Sequence, residues 1–159
     1  LGQGLSETKT VGDIAAPAVL TVDQASTIQQ AVELLNKKNS TAVIVTEGGK
    51  PVGIFTERDV LKRVASRQID AKKTPVKQVM TAPIVTMPST ALVGDVLLEM
   101  SQRDIRNMPV KNDNGELIGL VSMPEVLQYA RAFDIDERVR RTWKEVAEAL
   151  DSEDQYTPG

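Results

Sequence analysis

The stretch Gly53-Ile54-Phe55-Thr56-Glu57-Arg58-Asp59 decides how the surrounding chain is interpreted. Its apolar first half is typical of the end of a buried strand, and its polar second half of the first turn of a helix that begins at Thr56. Thr56 and Asp59 are three residues apart, so both side chains lie beside the unpaired N–H groups of that turn. Two interpretations are open. The hydroxyl and the carboxylate either close the helix as a capping box or, with the N–H groups, hold a sugar-phosphate.

The residues on either side of this stretch predict one βαββα unit. Apolar runs bounded by turn residues indicate strands, and apolar residues at helical spacing indicate helices. The sequence predicts, in order, a strand at 19–22, a helix opened by a capping pattern of Ser26 and Gln29, a strand at 42–45, a tight turn at 47–50, a returning strand at 51–55 and a helix at 56–67.

The same order of segments recurs in the second half of the chain. The recurring pairs are 11–14 with 76–79, 19–22 with 84–87, 43–45 with 108–110, and 53–59 with 119–125. The chain is therefore an internal duplication of mixed α and β structure. A unit of roughly 55 residues leaves much apolar surface exposed when it is alone. We therefore expect the two copies to pack together and leave a cleft around a pseudo-two-fold axis.

Composition excludes several classes of function. The chain has 159 residues, 41% hydrophobic and 3% aromatic, which predicts an aliphatic core. It has no cysteine and no histidine, so thiolate nucleophiles, histidine acid–base catalysis and zinc sites of the usual ligand type are excluded. The formal charge of -3 argues against a nucleic-acid partner. No apolar run reaches bilayer length and no signal peptide is apparent, so we expect a cytoplasmic protein without a membrane partner.

The end of the chain belongs to neither copy. Asp134 and Glu137 form a capping pattern, and an amphipathic helix is predicted over 134–150. Its apolar stripe either packs on its own domain or on a dimer mate, or it docks on another protein. Residues 1–10 are expected to form a flexible arm and residues 151–159 a frayed tail. The stripe consists of Ile135, Val139, Trp143, Val146 and Leu150.

Three features, occurring in order, make the chain resemble a tandem pair of cystathionine-β-synthase (CBS) domains, also called a Bateman module. They are the stretch 53–59, the segment Ile105-Arg106-Asn107-Met108-Pro109-Val110, and the two openings at 11–14 and 76–81. The resemblance covers a first repeat at 11–67, a linker at 68–75 and a second repeat at 76–131. It implies an α+β fold of two βαββα repeats packed through their sheets, clefts for adenine nucleotides, and pairing into homodimers.

The resemblance also implies site residues. In the family an acidic residue at the position of Asp59 grips the ribose hydroxyls, and a hydroxyl at the position of Thr56 contacts ribose or phosphate. The chemistry is suitable, because a carboxylate can accept both O–H donors of a diol. Arg106 matches a basic residue that reaches the phosphate from the opposite repeat, and an arginine fork suits phosphate oxygens. Further candidates are Arg58 and Arg103 for the phosphate, and Asp13, Ala18, Ser40, Thr41 and Ala42 for the base.

The second repeat departs from this pattern. Glu125 replaces the family's aspartate, and Pro124 precedes it. The longer carboxylate places its oxygens differently, and Ser-x-x-Glu is also the preferred capping box. A possible second site would comprise Gln78, Pro83, Ser122 and Glu125. We expect one ligand per chain.

Taken together, the sequence predicts a non-catalytic regulatory module that senses AMP, or ATP or ADP, and acts on a separate target protein. It requires no metal and no catalytic cofactor. One alternative is a structural or protein-interaction module with vestigial clefts, and another is a sensor of S-adenosylmethionine. An enzyme such as a nucleotide hydrolase is disfavoured, because the chain lacks a Walker-type phosphate loop as well as histidine and cysteine.

Overall fold

The computed structural model describes residues 9–132 and 137–154. The chain divides into two compact units. The first-repeat unit is Ala18–Val85. The second-repeat unit combines residues 9–17 with the described part of the chain from Thr86 onward. Each unit contains a three-stranded sheet with helices, so the predicted α+β fold with two repeats is confirmed.

The helices and strands follow the predicted order. The elements are α1 (Val11–Ile14), β1 (Thr21–Asp23), α2 (Ile28–Lys38), β2 (Ala42–Glu47), β3 (Lys50–Thr56), α3 (Glu57–Asp59), a π-helical segment (Val60–Ala65), a 3-10 turn (Val76–Gln78), β4 (Met87–Pro88), α4 (Val93–Arg103), β5 (Asn107–Lys111), β6 (Leu117–Ser122), α5 (Met123–Ala132) and α6 (Glu137–Asp154). The sheets have the orders β1-β2-β3 and β4-β5-β6. In both, the first pair is parallel and the second antiparallel.

The hairpin between β2 and β3 forms as predicted. Glu47 pairs with Lys50 across the turn. Gly48 and Gly49 have φ angles of 56° and 82°, the left-handed values that a two-residue hairpin loop requires and that glycine adopts without cost. The edge strands β1 and β4 are shorter and begin later than predicted. The carbonyl of Leu20 still accepts from the N–H of Ile44 at 2.8 Å, so pairing reaches back beyond β1 on one side only.

Two helices in the first-repeat unit differ from their predictions, one in the position of its cap and the other in its helix type. The cap of α2 is Thr27 with Gln30, one residue beyond the predicted pair: the Gln30 N–H donates to the Thr27 hydroxyl at 3.1 Å, and the Thr27 N–H donates to the Gln30 amide oxygen at 2.9 Å. The helix predicted over 56–67 is α-helical only in its first turn. It continues as a π-helix, and the Ser66 N–H bonds the Leu61 carbonyl five residues back at 3.2 Å.

The core of the first-repeat unit lies between α2 and one face of the sheet. Ile28, Ala31 and Leu35 of α2 are buried there against β2 and β3. Val76 and Val79 are fully buried in the same cluster, although they belong to the opening of the second repeat. Aliphatic residues and Phe55 therefore build this core, as the composition predicts.

Each unit is completed by the segment that opens the other repeat. In the first-repeat unit, the Val76 N–H donates to the Ser26 carbonyl at 2.8 Å, and Thr81 and Ile54 exchange backbone hydrogen bonds of 2.8 and 2.9 Å. In the second-repeat unit, Ala16 and Leu120 exchange bonds of 3.0 and 3.1 Å. Each compact unit therefore contains a segment that belongs, by its place in the sequence, to the other repeat.

The C-terminal helix α6 belongs to the second-repeat unit, where it packs on α4. Val146 is buried and Trp143 and Leu150 are half-buried, as expected of a stripe that packs on its own domain. The helix runs to Asp154, four residues past its predicted end. Asp134, Ile135 and the side chains of Glu137 and Val139 lie outside the described residues. Across the part of the chain that is described, the helices are too short or too polar to cross a membrane.

Candidate functional site

Asp59 lies where β3 turns directly into α3. The turn is anchored by the Glu57 N–H, which donates to the carbonyl of Thr41 at the start of β2 at 3.2 Å. The side chain of Asp59 points inward and the residue is 6% exposed. Among the described residues it is the only buried polar or charged one. A buried carboxylate is costly unless it is well hydrogen-bonded, so its partners decide what it can do.

Four donors surround the Asp59 carboxylate. Oδ2 accepts from the Thr56 N–H at 3.0 Å and from the Thr56 hydroxyl at 3.4 Å. Oδ1 accepts from the Thr81 hydroxyl at 3.1 Å and forms an ion pair with Arg63 Nε at 3.6 Å. The capping interpretation of Thr56 and Asp59 therefore describes the structure correctly, and Thr81 and Arg63 extend it.

Arg63 joins the carboxylate to the segment that carries Thr81. Its Nη1 donates to the Met80 carbonyl at 2.7 Å and to the Val79 carbonyl at 3.3 Å. Neither Arg63 nor Thr81 is among the site residues predicted from the sequence. Arg63 could have been found, because it lies four residues after Asp59 on the same helix face. No sequence signal connects Asp59 with Thr81, because only the return of the 75–81 segment to β3 brings them together.

Gly53, the first residue of the motif, allows this close approach. A Cβ atom there would lie 2.7 Å from the Met80 sulfur and 2.9 Å from the Thr81 carbonyl oxygen. Gly119 has the same role in the second repeat, where a Cβ would lie 2.8 Å from the Ala16 carbonyl oxygen. The glycine of the motif is thus required by backbone packing, whichever role the polar residues have.

Six other residues of the predicted first site lie in the same unit as Asp59. They are Ala18, Ser40, Thr41, Ala42, Thr56 and Arg58. The Ser40 hydroxyl donates to the Ala42 carbonyl at 3.0 Å, and Ala42 itself is buried. Thr41 and Ala18 are exposed, and Arg58 is half-buried. The structure therefore brings the start of β2 and the start of α3 together through the Thr41–Glu57 bond.

The remaining three predicted residues lie in the second-repeat unit. Asp13 accepts from the N–H and the hydroxyl of Thr10, both at 3.0 Å. These bonds, the backbone one foremost, lower the pKa of Asp13 below the ordinary aspartate value. Arg103 pairs with Glu99 at 2.7 Å on the surface of α4. Both residues thus have local structural partners.

Arg106 corresponds to Thr41 in the internal repeat. Its carbonyl accepts from the Met123 N–H at 2.8 Å and so anchors the start of α5. Its side chain is half-buried and lines a recess of about 120 Å³ within the second-repeat unit. Ile105 and Met123 form part of the wall, and α6 contributes Val146 and Glu145. Ile105 and Met123 are apolar, whereas the residues at the corresponding positions of the first repeat, Ser40 and Glu57, are polar.

The second-repeat motif is built differently. The Ser122 N–H donates to Glu125 Oε2 at 2.9 Å, as a capping residue requires, and Glu125 is exposed. Ala16, which has no hydroxyl, occupies the place of Thr81, and Tyr129 occupies the place of Arg63. Burial, and secondarily the charge of Asp13, raises the pKa of Tyr129. Gln78 and Pro83, the other two residues of the possible second site, are exposed in the first-repeat unit.

In the part of the chain that the structure describes, acidic residues are not clustered as metal ligands. Within residues 9–132 and 137–154, no three of the side chains that commonly ligate metals are grouped closely enough to hold an ion. The partners of Asp59 are hydroxyl, N–H and guanidinium groups, which engage the carboxylate by hydrogen bonding and charge pairing.

Comparison with known proteins identifies the duplicated unit. The family model for the CBS domain matches twice, at residues 11–66 and 76–132. Protein MK0525 of Methanopyrus kandleri is 33% identical over 123 residues, and the match spans 75% of this chain and 61% of that protein. The CBS domain-containing protein YhcV of Bacillus subtilis is 32% identical over 117 residues, spanning 74% of this chain and 82% of YhcV.

A solved structure carries ligands. The CBS domain pair of protein MJ0100, in complex with 5′-methylthioadenosine and S-adenosyl-L-methionine, superposes with a TM-score of 0.69 at 26% identity. The superposition covers 79% of this chain and 98% of that one. The duplicated βαββα order, the two family matches and this fold agree, and the chain belongs to the CBS domain family, with two copies of the domain.

Proposed function

We propose that this chain is a non-catalytic regulatory module that binds an adenosyl ligand at the Thr56–Asp59 end of its first repeat. AMP is the ligand we favour, with ATP and ADP as competitors. One observation carries the proposal. A buried carboxylate lies at a helix start with two threonine hydroxyls beside it, in a chain whose solved relative holds adenosyl compounds.

The proposed roles follow from the chemistry of the side chains. The Asp59 carboxylate accepts the two hydroxyls of the ribose. Ser40, Thr41 and Ala42 at the start of β2 border the base, with Ala18 of the same unit. Arg58, one residue before Asp59, neutralises the phosphate through paired N–H donors.

S-Adenosylmethionine is the competing ligand within the same proposal. MJ0100 was solved with this compound and with methylthioadenosine, neither of which has a phosphate. Both ligands share the ribose diol with AMP, so Asp59 would serve all three. Arg58 separates them, because only a nucleotide gains from a guanidinium beside its phosphate.

A second candidate function is an interaction module that binds no nucleotide. The specific observation in its favour is that the Asp59 carboxylate already has partners within the protein, the Thr56 N–H, the Thr81 hydroxyl and Arg63. Under this hypothesis the homodimer and a separate target protein would be the relevant partners.

Calorimetric titration of AMP, ATP and S-adenosylmethionine into the wild-type protein and Asp59→Asn tests the proposal. We expect one ligand per chain and a loss of at least about tenfold in affinity in Asp59→Asn, equivalent to about 1.4 kcal/mol. Asparagine keeps the size of the side chain but replaces one acceptor oxygen by a donor.

Two further variants serve as controls. Glu57→Gln neutralises an exposed carboxylate in the same turn and should leave the affinity unchanged. Glu125→Gln tests the second repeat, and a change from two ligands per chain to one would show that it binds as well. If none of the three compounds binds the wild-type protein, the interaction module becomes the better account.

A further inference from the structure

We propose that ligand binding at Asp59 releases the side-chain anchor of the segment 79–81 in the first-repeat unit, because Thr81 and the ligand compete for the same carboxylate. The inference rests on the proposed function and names how that site is regulated. Thr81 and Arg63 are positioning residues in this scheme, and the 79–81 segment is the element whose anchoring changes.

The competition follows from counting lone pairs. An ionised carboxylate has about four acceptor sites. In Asp59 they face the Thr56 N–H, the Thr56 hydroxyl, the Thr81 hydroxyl and Arg63 Nε. A ribose diol brings two more donors. Three of these sites accept hydrogen bonds, and Arg63 Nε pairs with Oδ1 by charge at 3.6 Å, so a ligand that donates two hydrogen bonds must displace at least one present donor. A ligand that takes both sites of Oδ1 displaces Thr81 and Arg63.

Oδ1 is the oxygen that a ligand can clear of its present donors. On Oδ2 the Thr56 hydroxyl, at 3.4 Å, can also turn away, but the Thr56 N–H remains. The Thr56 N–H belongs to the helix start, and its position is set by the backbone. The Thr81 hydroxyl can rotate, and the Arg63 contact is long at 3.6 Å with a side chain 37% exposed. Because Arg63 also donates to the carbonyls of Val79 and Met80, loss of both contacts weakens the attachment of all three residues of the segment.

The released segment has a defined place in the chain. Thr81 exchanges two backbone hydrogen bonds with Ile54, and Met80 packs close to Gly53. The chain leaves the first-repeat unit at Val85, a few residues further on. The state of the ligand site therefore acts on the covalent route by which the chain enters the second-repeat unit.

The second repeat provides an internal control. Its equivalent backbone pair, Ala16 with Leu120, lacks the hydroxyl that Thr81 supplies, and Tyr129 stands in the place of the arginine. The hydroxyl-mediated competition is thus proposed for the first repeat. A ligand effect on the 79–81 segment should have no counterpart at residues 15–16.

Affinity measurements with Thr81→Val test the competition, with AMP and S-adenosylmethionine as probes. Valine keeps the shape and removes the donor, so Oδ1 becomes available and affinity should rise by about threefold or more, the effect of one hydrogen bond. Thr81→Ser should bind as the wild type does. Thr74→Val, a half-buried threonine of the same connection, should also leave affinity unchanged. Weaker or equal binding by Thr81→Val overturns the inference.

Amide hydrogen exchange tests the release directly. Saturating ligand should accelerate exchange of the Thr81 amide in the wild-type protein, whereas binding with unchanged exchange contradicts the proposal. In the absence of ligand, Asp59→Asn should accelerate the same amide, and Glu125→Gln should leave the Ala16 amide unchanged. If neither probe binds the wild type, the proposed function fails. Equal exchange of Thr81 in Asp59→Asn and wild type overturns the anchor itself, whether or not a ligand binds.

Discussion

At the scale of single residues, Asp59 and Gly53 show that one motif carries two kinds of constraint. Asp59 is a buried charge whose place depends on donors from three different segments of the chain. Gly53 has no polar role, and its lack of a side chain allows the backbone of Thr81 to approach. The polar constraint concerns what the site can bind, and the steric constraint concerns whether the unit can close.

Replacing Gly53 by alanine should therefore destabilise the protein. The new Cβ would overlap the Met80 sulfur at 2.7 Å and the Thr81 carbonyl at 2.9 Å, and the segment would have to move. Overpacking of this kind costs about 1–3 kcal/mol of unfolding free energy, measurable by urea denaturation.

The matched control for this substitution is Gly48→Asn. Gly48 also lies in the hairpin of β2 and β3, but a Cβ atom there would meet no other atom within 4 Å, and asparagine tolerates its φ of 56°. Its stability should change by less than about 0.5 kcal/mol. If both variants unfold at the same urea concentration, close packing does not explain the motif glycine.

At the scale of elements, α2 shows how a helix start is chosen between neighbouring residues. Ser26 and Thr27 can both cap, and glutamines follow each of them by three residues. In the structure Thr27 caps with Gln30, while the Ser26 carbonyl accepts from the Val76 N–H. The returning 75–81 segment therefore holds Ser26 outside the helix, and the cap falls on the next residue.

The position of this cap can be tested with two single substitutions. Thr27→Ala removes the hydroxyl that accepts from the Gln30 N–H at 3.1 Å and should cost about 1 kcal/mol of unfolding free energy. Ser26→Ala keeps the backbone bond to Val76 and should change stability by less than about 0.5 kcal/mol. A larger loss in Ser26→Ala than in Thr27→Ala would place the cap where the sequence alone predicted it.

At the scale of the whole molecule, the two repeats exchange their opening segments. Residues 75–81 complete the first-repeat unit and residues 10–16 complete the second-repeat unit. Val76 and Val79 are fully buried in the core of a repeat to which they do not belong by sequence order. The repeat of the sequence and the unit of packing are therefore different pieces of the chain.

Two fragments distinguish these two divisions of the chain. A fragment of residues 18–85 contains a complete packing unit and should unfold cooperatively on heating, as followed by circular dichroism. A fragment of residues 11–67, the repeat as predicted from the sequence, lacks Val76, Val79 and Thr81, which forms an antiparallel bridge with Ile54. It should melt without a cooperative transition. Equal cooperativity in both would show that the exchanged segment contributes little to the core.

Much of the fold could be predicted from the sequence, because the helices, most strands and the hairpin depend on local patterns of residues. Apolar periodicity located the helices and most strands, and Gly48 and Gly49 identified the hairpin turn. The duplication followed from comparing the chain with itself. Helix and strand limits were less accurate where distant segments compete for the backbone, as at Ser26 and in the π-helical turn after Asp59.

The amino-acid sequence by itself determined the order of elements, the two CBS repeats, the absence of histidine and cysteine chemistry, and the pairing of Thr56 with Asp59, because these depend on residue type and short spacing. Only the tertiary structure decided which segments complete each unit and which donors surround Asp59. Thr81 is 22 residues from Asp59 along the chain, and its hydroxyl reaches the carboxylate because the chain folds back against β3. That return is set by burial of Val76 and Val79 and by the space left at Gly53, neither of which is encoded in the spacing of polar residues.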